Sequence, residues 1–183
     1  MARGTLNPTL DYNVGSNVMA NTKMSETIAT AAHIALLAPV PLEHLLDGKT
    51  VAETTGRVAF GSRAWQVFRE LDSLRKGMPV DVYIYASHSA EHRDFEVSWH
   101  ARYLGHVDSI MGAHPEGMKY RPPSTGQYPS DNSGHWAVFW EVEDLQPLPK
   151  DQQTSLGDLT GFGKKKAYGH AFPPEGPLLI EHP

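Results

Sequence analysis

Between Gly56 and Ser89 the hydrophobic period of this chain changes once, and that change constrains the fold more than any other stretch. Ala64, Val67, Phe68, Leu71 and Leu74 recur at helical spacing. Ser62 is the predicted N-cap, its hydroxyl placed to take an orphan N–H of the first turn. Arg75 and Lys76 suit the negative end of the helix dipole, and Gly77 is placed to close the helix in a left-handed conformation. From Val80 the period is two. Val80, Val82, Ile84 and Ala86 face one way, and Asp81, Tyr83, Tyr85 and Ser87 the other. Trp65 falls about 120° from the centre of the helix's apolar stripe. A large aromatic off the buried face, next to Arg63, asks for a partner other than the core.

The rest of the chain supplies strands more than helices. A short apolar run at His33–Ala38 predicts a strand buried on both faces and ended by Pro39 and Pro41. Leu42, Leu45 and Leu46 make one short helical face, stopped at Gly48. Val51–Phe60 is read as a strand carrying Thr54 and Thr55. In Phe95–Val107 the residues Phe95, Val97, Trp99, Ala101, Tyr103 and Val107 share one face, opposite Glu96, Ser98, His100, Arg102 and His106. Gly105 marks a bulge in that strand. Trp136, Val138, Trp140 and Val142 predict a further apolar face, and Leu178–Ile180 a last short strand. Residues 111–135, rich in Pro, Gly and Ser, form a long loop. Residues 1–28 form a polar, flexible extension, with Met24 as an alternative start, ahead of a single domain over 29–183. Without βαβ alternation, the expected class is α+β, a barrel-like sheet with two or three short flanking helices.

Composition excludes several functions. With no cysteine there are no disulfides, thiolate metal sites or cysteine nucleophiles. No apolar run approaches the roughly 18 residues of a membrane span, and the N-terminus has no apolar signal core, so a cytoplasmic protein is expected. A formal net charge of −5 argues against a salt-driven nucleic-acid coat. It leaves room for a protein that takes one base in a pocket.

The order of strand, short helix ending in Gly48-Lys49-Thr50, strand, helix ending in Gly77, then Tyr83-Ile-Tyr85-Ala-Ser87-His88-Ser resembles the PUA-like superfamily of small pseudo-barrels. Arg63, Lys76, Gly77, Asp81 and Tyr85-Ala86-Ser87 follow the plan of its EVE branch, related to the YTH readers, with Ala86 where that branch has His. Leu45-Leu-Asp-Gly48-Lys49-Thr50-Val-Ala-Glu53 is similar to the ASCH signature. The resemblance implies a cleft that binds nucleic acid or a modified nucleobase, with aromatic faces to stack and polar groups to read the base edge. Ser62, Arg63, Trp65, Tyr85, Ser87 and His88 are the residues expected at that ligand. Its ASCH side implies an amidohydrolase of acylated nucleosides, using Lys49, Thr50 and Glu53, although Thr50 directly follows Lys49 where the family spaces the two by three.

Each of these residues also has a structural explanation. Trp65 can pack under a loop, and Lys49, Thr50 and Glu53 can belong to a solvated turn. Trp99, Trp136 and Trp140 fall on apolar faces and are assigned to the core. His88-Ser-Ala-Glu91-His92 matches a zinc-peptidase pattern that needs a helix, but its position between strands favours a turn. Gly161-Phe-Gly163-Lys164-Lys165-Lys166 lacks the context of a phosphate loop. No metal or cofactor is predicted. Lys119, Tyr120, Arg121 and Tyr128 in the long loop, and the N-terminal extension, are the surfaces expected for a nucleotide or a protein partner, the latter defining a third reading as an interaction module.

Overall fold

The computed structural model describes residues 19, 22–26, 29, 32–87, 96–128, 134–169 and 174–183. Its elements are β1 (Ile34–Pro41), α1 (Leu42–Thr55), β2 (Val58–Ser62), α2 (Trp65–Arg75), β3 (Val80–Ser87), β4 (Glu96–Val97), β5 (Trp99–Asp108), β6 (Val138–Pro147), β7 (Thr154–Ser155) and β8 (Leu178–Glu181), with short 3-10 turns at Pro123–Gln127, Lys150–Gln152 and Leu156–Asp158. Six strands form one curled half-barrel in the order β2-β6-β5-β3-β1-β8, and β4 pairs with β7. All neighbours in the large sheet are antiparallel except β1 and β3. The class is mixed α+β, as the scarcity of helical periods implies.

The inner face of the sheet carries the main core. Ile34, Leu36, Val82, Ile84, Ala101, Tyr103, Trp140 and Val142 meet Leu45 and Ala52 of α1 and Phe68 and Leu71 of α2 there. The outer face holds two smaller clusters, so β1 is covered on both sides. Ala35, Leu37, Tyr85 and Ile180 pack under Leu156 and Leu159. Ala59 and Phe139 pack under Tyr120, Trp136 and Val107. This double cover explains why Ile34–Ala38 is one unbroken apolar run.

Several expectations change at this point. Helix α1 does not stop at Gly48 but runs on to Thr55, and it takes up the strand expected from Val51. Gly48 is a contact glycine, since a Cβ there would meet the Phe60 ring at 3.2 Å. The left-handed stop is Gly56, at φ 83°. Pro41 ends β1 as expected, but Pro39 lies inside it, because β8 pairs only with Ile34–Leu37 and leaves later β1 residues an open side that needs no N–H. Helix α2 begins at Trp65 rather than at Ser62, although the Ser62 hydroxyl does accept the Ala64 N–H at 3.1 Å. Ahead of β1 the backbone is helical at residues 19, 22–26, 29 and 32–33, where an unpatterned arm was expected.

The largest correction lies in β5. The pairing of β5 with β6 slips between Tyr103 and Gly105, at the glycine where a bulge was expected. One extra residue reverses the alternation beyond it. Val107 therefore joins the outer cluster, and His106 turns inward beside Phe68, their rings 6.1 Å apart. Trp136, just before β6, also lies on the outer side, while Trp99 and Trp140 are core as read. The long loop is packed rather than open over its described residues. Tyr120 and Arg121 are buried, and the Arg121 Nη1 donates to the Ala59 carbonyl at 3.1 Å. No helix among the described residues is long and apolar enough to cross a membrane.

Candidate functional site

At one end of the half-barrel Ser62, Val138 and Asp108 lie side by side on β2, β6 and β5. The chain leaves β2 here, turns through Arg63 and Ala64, and enters α2 at Trp65. Arg63 is exposed; its Nε donates to the His135 carbonyl at 3.3 Å, and its Nη2 lies 2.7 Å from the His135 Nδ1. His135 stands edge-on to Trp136, ring centres 4.8 Å apart. Trp136 lies flat against Gly61, where a Cβ would come within 2.6 Å of its ring, so only glycine admits it.

Trp65 is 40% exposed, as its place off the stripe predicts. One turn on, the Arg69 guanidinium covers its ring at 4.8 Å and reaches Asp108 at 3.8 Å. Beyond Asp108, Ser109 donates its hydroxyl to the Trp136 carbonyl at 2.6 Å. The turn that follows leaves Ile110 and Met111 exposed. Gly112 and Gly134 hold that turn against the chain entering β6, for a Cβ on Gly112 would fall 2.0 Å from the Gly134 Cα. Arg63, Trp65, Arg69, Ile110, Met111 and His135 thus share one surface, with aromatic, apolar and cationic groups side by side.

Beneath α2, on the same edge, sits a polar network. The Asp72 carboxylate accepts from Arg75 Nε at 2.5 Å and from the Tyr103 hydroxyl at 3.4 Å, and it lies 2.6 Å from His106 Nδ1, which is in turn 3.3 Å from the Tyr103 hydroxyl. The Arg75 guanidinium lies over the Tyr103 ring and donates to the carbonyls of Met78 and Leu104 at 2.9 and 2.8 Å. Burial, reinforced by the Asp72 charge, drives the Tyr103 hydroxyl far above its ordinary pKa, so it stays a proton donor.

The other predicted ligand residues lie elsewhere. Tyr85 is buried on the outer face and donates its hydroxyl to the Pro174 carbonyl, with burial pushing its pKa up to about 12. Tyr85 therefore cannot face Trp65 across one pocket, because the sheet stands between them. Ser87 pairs with Pro41 beyond the Ile84–Trp99 pair, at the opposite end of the sheet from Asp108. Along β5 that separation is about 30 Å. His88, and with it the His88–His92 pattern, falls outside the described residues. Lys49, Thr50 and Glu53 sit on α1, where Lys49 and Glu53 pair one turn apart on the exposed side and the Thr50 carbonyl takes the Thr54 hydroxyl. This is ordinary surface-helix chemistry. Lys164–Lys166 are exposed on a turn closed by the Thr160–Ala167 bridge, and the Gly163 N–H donates to the Glu181 carboxylate at 2.8 Å. A carboxylate at that N–H argues against an anion loop. Exposed Lys119 and, from the turn before β2, Arg57 cover the ring of buried Tyr120, a structural role.

The sequence reading missed Arg69, Asp72, His106 and His135. Arg69 was legible, being four residues after Trp65 on the same side of a predicted helix. His106 was not, because its face depends on the bulge. Another cluster the reading missed joins Asp81 to His100 and His182, each 2.9 Å from one carboxylate oxygen, and fastens the C-terminus to β3. Among the described residues no group of three or more His, Asp or Glu is spaced to hold a metal ion. Compared with known proteins, the chain matches no family model, no curated protein and no solved structure. The site is therefore defined by its own side chains.

Proposed function

We propose that the protein binds a nucleic acid or a modified nucleotide at the Arg63–Trp65–Arg69 surface, as a PUA-like domain without catalysis at Lys49. The observation that carries the reading is Trp65, held half-open on a helix edge with one arginine stacked on it and another beside it. An exposed indole offers a π-face to any base, worth about 1–3 kcal/mol per base stacked. Arg63 and Arg69 supply charge-assisted donors for the phosphates that flank it. Asp108 shares Arg69 in the free protein and yields it to a phosphate on binding. The order of elements and the half-barrel support the PUA-like placement. With few cations at the surface, affinity depends modestly on salt, with a slope of about two phosphates' worth of released counterions.

The test is a thermal-shift and anisotropy screen of the protein and of Trp65→Ala against oligonucleotides and free modified nucleosides. The reading expects a ligand-dependent rise in melting temperature that Trp65→Ala removes while its own melting stays near wild type. A large fall in melting temperature with the ligand response intact would make Trp65 structural.

A further inference from the structure

We propose that residues 113–128 form a strap over the edge strand β2, and that a proton on His114 unfastens it while the rest of the sheet stays folded. This holds whether or not the Arg63–Trp65–Arg69 surface binds a nucleotide. Strand β2 ends the large sheet, with β6 on one side only. On its other side the chain after the Ile110–Ala113 turn stands in for a strand. The Ala59 N–H donates to the Tyr120 carbonyl at 2.8 Å, and Arg121 Nη1 donates to the Ala59 carbonyl at 3.1 Å. From the outer face, where Tyr120 packs on Ala59 and Phe139, the chain passes round the edge to α1. There the Ser124 N–H donates to Asp47 at 2.9 Å and the Tyr128 hydroxyl to Glu43 at 2.8 Å, and the Ser124 hydroxyl lies 2.8 Å from His44 Nδ1. The strap's apolar anchor is thus small, and such segments open at less cost than the whole fold.

His114 is where the strap is fastened. Its side chain is 2% exposed and stands edge-on to the rings of Tyr120 and Phe139. Its Nδ1 accepts the Glu116 backbone N–H at 3.1 Å. A backbone amide can only donate, so this bond fixes the tautomer. The one ring proton is on Nε2, which lies 3.5 Å from the Glu141 carboxylate. A second proton would enter at Nδ1 and meet the Glu116 N–H, donor against donor. The sealed ring has no place for it, so His114 takes a charge only by leaving. The charged groups around it are Glu141 from β6, Glu116 and Arg121 from the strap, and Arg57 before β2, which pairs with both glutamates. Lys119 pairs with Glu116 from the far side. Burial has the largest effect and holds the His114 pKa below its ordinary value, with Arg121 acting the same way and the two carboxylates opposing. The released imidazole takes its proton near the ordinary value of about 6.5. The strap is therefore shut above that pH and loosens as pH falls below it.

The Ala59 amide reports the strap alone, because its N–H bonds to Tyr120 and not to β6. Its hydrogen exchange is followed by NMR in the full chain, corrected for the intrinsic rate, beside the amides of β3, a strand paired on both sides. Protection of Ala59 should fall about tenfold between about pH 6.5 and 5, while β3 stays constant. His114→Gln keeps an acceptor for the Glu116 N–H but takes no proton, so its Ala59 protection should not change with pH. The wild-type imidazole signals are read in the same samples, which guards against a variant that opens the strap at every pH. They should titrate together with the loss of Ala59 protection. Protection of Ala59 that holds to pH 5, falls in step with β3, or falls equally in His114→Gln overturns the proposal. So does a His114 ring that takes its proton while Ala59 stays protected.

Discussion

Helix α2 carries two arginines stacked on aromatic rings, and they behave in opposite ways. Arg75 lies over Tyr103 with its donors used by Asp72, Met78 and Leu104, and it is buried. Arg69 lies over Trp65 in the open, with Asp108 at 3.8 Å. The same contact is thus a fastening in one place and, in the function we propose, a binding surface in the other. What separates them is how many donors the fold consumes, not the stacking itself.

Breaking the buried member should have the largest effect. Arg75→Met keeps the packing but takes a cation from the Asp72 carboxylate and a donor from two carbonyls, and should cost about 3 kcal/mol in urea unfolding. Breaking the open member should do the reverse. Trp65→Ala should lower stability by less than about 1 kcal/mol, as surface changes do, yet weaken ligand by about 1–3 kcal/mol. If both variants lose stability equally, the contrast is void.

A third test sharpens what burial does to a charge. His114 is sealed behind the outer face near Glu141, and burial lowers its pKa more than Glu141 raises it. The folded state therefore resists the proton that the unfolded state accepts near pH 6.5. Its contribution is present above that pH and lost as pH falls below it. His114→Leu should flatten the fall in melting temperature on acidification relative to wild type; an unchanged pH profile would show that His114 carries no part of it. The smallest effect belongs to Lys49→Ala. Its pair with Glu53 is a surface i,i+4 pair, so stability should change by about 0.5 kcal/mol or less. Ligand affinity should not change, and loss of turnover on an acylated nucleoside would instead revive the hydrolase reading.

Much of the fold was legible because it rests on local periods. The switch from helix to strand between Leu74 and Val80, the double-sided burial of Ile34–Ala38 and the exposure of Trp65 all follow from spacing alone. The sheet order was not legible, since it depends on which distant strands meet. Nor were the breaks in local rules. Gly48 looked like a stop because glycine ends many helices, but here it admits the Phe60 ring. The bulge at Gly105 was foreseen, but not its effect on His106 and Val107, because the phase beyond a bulge depends on the partner strand. Tyr85 and Trp65 looked like companions in the chain, and the sheet puts them on opposite sides.

The central claim is that one end of the half-barrel binds ligand and the other does not. Hydrogen exchange by mass spectrometry, with and without saturating oligoribonucleotide, tests it most directly. Slower exchange in peptides covering 62–69 and 106–111, with 49–55 and 80–87 unchanged, is the predicted result. Protection confined to 80–87 or to α1 would contradict it.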